Sequence, residues 1–245
     1  MKIIFSFLFF SLLLIAPIRA QFWVDVESGL VLGTPYNKIS IPNSAGSRFD
    51  LGKDFKIQPI AFLRARIGYT FNDRHTITAL YAPLTATYDG QFDQVVNFNS
   101  IAFAPNQPIT ATYRFNSYRL TYRYGLIRNE RFRLGVGFTA KIRDARIRLI
   151  SPTQNNYFDN VGFVPLLNVL AEYRPTDHWR ILLEVDALGG GPGRAEDVFL
   201  GIGYQLTPSF GLRTGYRVVE GGADVKSIYN FTWISYASVG VHINF

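Results

Sequence analysis

The 245-residue sequence contains no cysteine and, after its first 20 residues, no apolar run long enough for a membrane-spanning helix. The absence of cysteine excludes disulfides, zinc–thiolate sites and thiol catalysis. The absence of a further apolar run excludes a helical membrane protein, because each such helix needs about 20 apolar residues. Charged residues are also scarce, at 18%, while mean hydropathy is near zero at +0.07. This combination indicates a chain that averages an apolar face against a polar one.

Residues 1–20 have the pattern of a cleavable secretory signal. Lys2 supplies a positive start, Ile3 to Ile15 are almost all apolar, and the segment ends on small residues at Ala20. A membrane anchor is the alternative, but the apolar run is shorter than a bilayer requires. We predict a signal peptide over 1–20 and one domain over 21–245. Loss of Lys2 and Arg19 lowers the formal net charge from +7 to +5 (7 − 2).

The basic residues are spread along the whole chain and alternate with apolar ones. A nucleic-acid-binding protein would instead gather them on one face. We therefore predict no nucleic-acid partner.

The dominant pattern is an alternation of apolar and polar residues with a period of two, which indicates strands. It is clearest in Phe132–Ile142, in 161–174 and in Phe231–Phe245. The predicted strands cover 22–33, 56–70, 76–88, 109–126, 132–150, 161–174, 179–188, 196–206, 210–219 and 231–245. In the third of these strands, apolar residues occur on both faces, so the sequence does not decide which face meets lipid.

The predicted connections alternate in length. Tight turns alternate with longer links at 34–55, 89–108, 151–160, 189–195 and 220–230, and aromatic residues such as Tyr69 and Trp179 flank the tight turns. Aromatic rings favour the membrane–water interface. We predict an all-β, closed antiparallel transmembrane barrel of ten strands, with eight or twelve as alternatives, and with its short turns and termini in the periplasm.

The final strand, Phe231 to Phe245, resembles the terminal strand of bacterial outer-membrane β-barrel proteins, which ends on an aromatic residue. The resemblance implies an outer-membrane location among lipids and lipopolysaccharide. It also implies that Phe245 is read as an assembly signal by the barrel-assembly machinery. Ten strands match the omptin proteases, but the acidic pairs and outer-rim histidine of that family do not occur in this sequence.

Charged residues occupy the inward phase of the predicted strands, that is, the alternate positions whose side chains face the lumen. The inward bases are Arg64, Arg66, Arg119, Arg123, Arg133, Lys141, Arg143, Arg174, Arg213 and Arg217, and the inward acids are Asp25, Glu27, Glu172, Glu184, Asp186 and Asp197. A small barrel has little interior space, and buried charges must pair or stay hydrated. We predict an arginine–carboxylate network that plugs the lumen. Because bases outnumber acids, the alternative is a narrow, anion-preferring passage.

Two further candidates lie outside this set. His242 should face Asp25 and Glu27 across the closing seam, where a structural ion pair is favoured over a charge relay. Arg146 and Arg148 face outward at the outer end of their strand. They are candidates for contacts with lipopolysaccharide phosphates, although a strand that rises above the membrane into solvent is the favoured explanation.

We expect no catalytic residues, metal or cofactor, and no enzymatic activity. The predicted function is a structural barrel or a narrow anion or solute passage. One alternative is an adhesin acting through loops 34–55 and 89–108, of which the second is unusually apolar and could instead fold into the mouth of the barrel. A lipid-modifying enzyme is another, but we find no rim cluster of His, Ser or acidic residues to support it.

Overall fold

The computed structural model describes residues 21–245, so the predicted signal peptide lies outside the described residues. The elements are β1 (Gln21–Ser40), β2 (Phe49–Asp50), α1 (Leu51–Asp54), β3 (Phe55–Ile57), β4 (Ala61–Phe71), β5 (His75–Ala82), β6 (Thr85–Gly90), β7 (Val96–Phe98), β8 (Ile101–Phe103), β9 (Ile109–Arg128), β10 (Phe132–Ile150), β11 (Asn155–Tyr173), β12 (Trp179–Gly190), β13 (Gly193–Thr207), β14 (Phe210–Val225) and β15 (Ile228–Asn244). Within residues 21–245, no helix is long and apolar enough to cross a membrane.

The wall is a closed antiparallel barrel of ten strands, which confirms the predicted fold class and strand number. β1 pairs with β15 and β9 pairs with β10, so the sheet has no free edge along the wall. β5 and β6 together form the third wall strand. Both pair with β9, and the interruption falls at Pro83, which has no N–H to donate to the ladder.

The period-two pattern places apolar side chains on the outside of the wall. Phe138, Val161 and Phe163 are each more than 60% exposed in the isolated chain. In the third wall strand, Ile77 and Tyr81 face outward while Leu80 faces inward. The face that contains Ile77 and Tyr81 is therefore the one that meets lipid, which the sequence did not decide. The outer surface therefore carries a belt of apolar side chains, as a lipid-facing surface requires.

Three of the predicted outer loops are much shorter than expected. The predicted loop 189–195 is a hairpin in which Gly190 pairs with Gly193, 220–230 is mostly paired strand, and 151–160 shrinks to 151–154. The glycines indicated loops, but their backbone groups gain hydrogen bonds by continuing the ladder. At Gly222, a Cβ would lie 1.9 Å from the carbonyl oxygen of Asn230, so this close pairing requires glycine. The strands consequently extend beyond the apolar belt.

The remaining two connections, 41–60 and 91–108, fold over the outer end of the barrel; we call them the outer cap. β2 pairs with β1, β3 pairs with β6, and β7 and β8 form a separate hairpin. At Gly52 in α1, a Cβ would lie 2.3 Å from the carbonyl oxygen of Thr34, so only glycine allows this approach to β1. The outer end is therefore covered by the chain itself.

Candidate functional site

The middle of the lumen contains a connected set of ion pairs that we call the central network. Its bases are Arg64, Arg66, Arg119, Arg213 and Arg217, and its acids are Asp25, Glu27, Glu184, Asp186 and Asp197. Five bases face five acids, so the formal charges of the central network cancel. Most of these side chains are buried, and such charges require this kind of mutual compensation.

Arg217 and Glu27 are the most enclosed pair of the central network. Glu27 is fully buried and accepts hydrogen bonds from Nε and Nη2 of Arg217 at 2.7 and 2.9 Å. Arg213 donates a third hydrogen bond to Glu27 at 2.8 Å. Arg217 Nη1 also reaches Asp197 at 2.6 Å, and this aspartate in turn binds Arg64 and Arg119. Side chains from opposite walls are thereby joined across the lumen.

Three predicted network bases face the lumen without joining the central network. Among the described residues, no carboxylate lies within 4.0 Å of Arg123, Lys141 or Arg143. Arg123 donates to the Asn168 amide oxygen at 3.4 Å, and Arg143 donates to Asn160. The Lys141 ammonium lies 4.7 Å from the centroid of the Phe115 ring. Lys141 pairs directly with Arg119 of the central network in the strand register, so the alternation of residues and strand height alone do not decide which bases join the network.

Glu172 forms a second, separate cluster near the periplasmic end. Its carboxylate accepts a hydrogen bond from Arg174 at 2.6 Å, while Arg180 and Arg133 lie at 3.7 and 3.9 Å. One acid thus faces three bases. The inward bases predicted from the sequence did not include Arg180. It has the same inward phase as Glu184 and Asp186, so the alternation could have identified it.

The closing seam brings His242 opposite Asp25 in the strand register. Their Nδ1 and Oδ2 atoms are 3.6 Å apart, which is longer than a hydrogen bond, and His242 Nε2 interacts with Asn244 Oδ1 at 3.1 Å. Among the described residues, no hydroxyl group is hydrogen-bonded to His242. This geometry fits a seam contact and not a charge relay.

Above the central network, the inward side chains become apolar and pack against the outer cap. Phe98 and Phe103 of the β7–β8 hairpin are fully buried, and Phe49 lies 6.2 Å from Phe98 between ring centroids. Ile147 and Leu149 of β10 are buried in the same apolar cluster. The Asn156 side chain anchors the hairpin by donating to the carbonyl oxygens of residues 98 and 99 at 3.1 and 2.9 Å.

The free space in the lumen decreases from the periplasmic end toward the outer end. The cavity at the periplasmic mouth has a volume of about 220 Å³, and the next one inward about 70 Å³. Beyond the central network, the cavities beside Tyr236 and beside Asn230 are about 10 Å³ each. A single water needs about 10–15 Å³ of such volume, so each of these two outer cavities has room for about one water at most.

Solved structures of similar shape are bacterial outer-membrane proteins. The outer membrane protease OmpT from Escherichia coli matches with a TM-score of 0.59 and 12% identity, over 92% of this chain and 97% of that one. The fold is that of a bacterial outer-membrane β-barrel. Ail, the attachment invasion locus protein of Yersinia pestis, matches with a TM-score of 0.44 and 10% identity, over 92% of this chain and 99% of its own. An outer membrane channel from Pseudomonas putida F1 matches with a TM-score of 0.44 and 11% identity, over 94% and 97% of the two chains. No family model and no curated protein matches.

As an outer-membrane barrel, the protein lies among outer-membrane lipids, with aromatic side chains at the periplasmic edge of its apolar belt. Phe22 and Tyr69 pack with ring centroids 4.7 Å apart, and Trp179 and Tyr204 with centroids 4.9 Å apart. The terminal Phe245 is 76% exposed beside this edge. Its N–H donates to the Phe22 carbonyl at 2.9 Å, so the chain end is tied to the first strand.

Phe199 is a lumen residue that the sequence analysis missed. It is fully buried, and the guanidinium groups of Arg213 and Arg217 lie 5.0 and 4.8 Å from its ring centroid. A cation over an aromatic face is stabilised by the ring quadrupole. Phe199 shares the inward phase of Asp197, so the alternation indicated its position, but charge was the only property sought there.

At the outer end of β10, Arg146 and Arg148 face away from the lumen and already have protein partners. Arg146 donates to the Asp159 carboxylate at 2.7 Å, and Arg148 donates to Asn155 at 2.9 Å. The pKa of the Asp159 carboxyl lies below its ordinary value because Arg146 donates hydrogen bonds to its charged form. Asp159 therefore stays ionised and offsets part of the positive charge of this surface.

Proposed function

We propose that the barrel is a non-conducting, structural protein of the outer membrane. The observation that carries this proposal is the double closure of the lumen, by the central network in the middle and by the outer cap above it. A hydrated anion would need to break several buried ion pairs and then enter an apolar core. Both steps are costly, because a buried charge that loses its partners is strongly destabilised.

The proposal predicts that the wild-type barrel gives no single-channel steps in planar bilayers at molar potassium chloride. Folding and insertion are checked by heat-modifiable migration in gels and by β-sheet circular dichroism, so that a failure to insert is not mistaken for a closed lumen. Regular conductance steps from correctly folded protein would support the anion passage and contradict the plug.

The proposed role includes no catalytic step. All three histidines, His75, His178 and His242, lie at the periplasmic ends of the strands, away from the outer rim where omptins have theirs. An adhesin role is less favoured, because Val96, Phe98 and Phe103 of the apolar loop are buried in the outer cap and are not displayed to a partner. Recognition of Phe245 by the barrel-assembly machinery remains a prediction.

Contact of Arg146 and Arg148 with lipopolysaccharide phosphates is a proposal for the outer surface. The double variant R146A/R148A should bind lipid A roughly tenfold more weakly, because each basic residue near an anionic surface contributes about 1 kcal/mol and Asp159 offsets part of this. Binding is measured by displacement of a fluorescent lipid A from the barrel in nonionic detergent. K53A/K226A, which removes two exposed charges elsewhere on the outer end, is the control. Unchanged lipid A binding in R146A/R148A would dismiss this contact.

A further inference from the structure

The cavity at the periplasmic mouth, which we call the periplasmic vestibule, has an excess of positive charge. Seven arginines and four acids line this space of about 220 Å³, which is many times the volume needed by one water. Its floor is formed by Arg66, Glu184 and Arg213 of the central network. The central network is neutral, so the excess belongs to the walls of the periplasmic vestibule.

The excess is greatest around Glu172. This buried carboxylate faces Arg133, Arg174 and Arg180, and only Arg174 is within hydrogen-bonding distance. The Nε atoms of Arg133 and Arg180 are buried and have no hydrogen-bond partner among the described residues. The Arg180 side chain is only 11% exposed, so bulk water compensates little of its charge.

Arg123 adds a further base without a carboxylate partner in the part of the chain that the structure describes. It lines the periplasmic vestibule and the smaller cavity behind it, and its only hydrogen bond within residues 21–245 is the 3.4 Å contact with Asn168. Arginine remains protonated in proteins, so this charge cannot be relieved by loss of a proton.

Glycines in the wall create the space for these two arginines. At Gly135, a Cβ would lie 2.7 Å from Cδ of Arg123, and at Gly211 one would lie 2.8 Å from Nη2 of Arg180. A larger residue at either position would require the arginine side chain to move. The two glycines therefore allow Arg123 and Arg180 to lie close against the wall beside the cavity.

We propose that the periplasmic vestibule is a binding site for a small phosphate-bearing anion that enters from the periplasmic side. Guanidinium groups bind phosphate oxygens through paired N–H donors, and several of them around one cavity match the oxygens of a single phosphate group. Arg123, Arg133 and Arg180 supply the unused donors. The phosphate is either a free periplasmic anion or the headgroup of an anionic phospholipid at the inner rim of the barrel.

The test measures binding of inorganic phosphate to the barrel in lipid-free nonionic micelles by calorimetry. We expect saturable binding by the wild type and at least tenfold weaker binding by R123Q/R180Q. This variant leaves every ion pair of the central network intact, and it should unfold at the same or a higher urea concentration than the wild type when phosphate is absent, because it removes undercompensated charge. K53Q/K226Q, which loses two exposed charges outside the cavity, should bind phosphate like the wild type.

Lack of saturable phosphate binding, equal affinity in R123Q/R180Q, or an equal loss in K53Q/K226Q would overturn the proposal. The source of the phosphate is distinguished in phosphatidylcholine nanodiscs with and without phosphatidylglycerol. If phosphatidylglycerol competes with inorganic phosphate, the headgroup occupies the site, and if it does not, the free anion does. Binding is measured independently of conductance, so this result does not depend on whether the lumen conducts.

Discussion

Replacing Glu27 with alanine is expected to lower the free energy of unfolding of the barrel by about 3–5 kcal/mol, which is the usual consequence of removing one partner from a buried charge cluster. Glu27 accepts three hydrogen bonds from Arg213 and Arg217, and Arg66 and Arg64 lie within 3.6 and 4.0 Å of it. The variant would leave these largely buried arginines with one carboxylate fewer around them. Urea unfolding followed by tryptophan fluorescence in detergent measures the loss.

Two comparisons establish that the loss comes from uncompensated charge. Glu196 lies in β13 one residue before Asp197 but is exposed, so Glu196→Ala should change stability by less than about 0.5 kcal/mol. The double variant E27A/R217A should lose less than the sum of its single variants, because removing Arg217 also removes part of the unpaired charge. Similar losses for Glu27→Ala and Glu196→Ala, or strict additivity in the double variant, would show that the central network does not hold the barrel together.

Replacing Phe98 with alanine is expected to destabilise the outer cap by about 3–5 kcal/mol while leaving the apolar belt of the barrel folded. Phe98 is fully buried and packs edge-on against Phe49 and Phe103, with ring centroids 6.2 and 6.4 Å apart. Its loss would leave a cavity at the centre of the cap. Hydrogen exchange of the β7–β8 hairpin should become faster by several orders of magnitude, because exchange follows local opening.

Val95 is the matched control for Phe98, because it lies just before the same hairpin and is 53% exposed. Val95→Ala should leave hairpin exchange nearly unchanged. If Phe98→Ala exchanges like the wild type, the outer cap is not held by its apolar core. If instead the strands of the belt lose protection together with the hairpin, cap and barrel form one cooperative unit.

The alternation of residues was sufficient to predict ten strands and the lipid-facing side of all but the third, because each strand of a closed barrel has one face in hydrocarbon and one in the lumen. It failed at the outer end. There the glycines of 189–193 and 221–222 indicated loops but continue as paired strand. Pairing depends on what the neighbouring strand offers, and a pattern read along one chain does not contain that information.

The inward phase likewise identified the charged side chains of the lumen, but it did not show which of them form ion pairs with one another. Arg217 and Arg123 are both inward arginines, yet among the described residues Arg217 binds three carboxylates and Arg123 has none within 4.0 Å. This difference follows from the stagger of the strands, which sets the height of each side chain and therefore its neighbours across the barrel.

By itself, the sequence determined the closed barrel, its apolar belt and the polar character of its interior, since all three follow from period-two alternation between lipid and lumen. Only the tertiary structure decided that the outer end is sealed by the outer cap, that the central network is neutral, and that the excess positive charge lies at the periplasmic mouth. These features depend on strand stagger and on contacts between distant segments, which bring together residues that no local pattern relates.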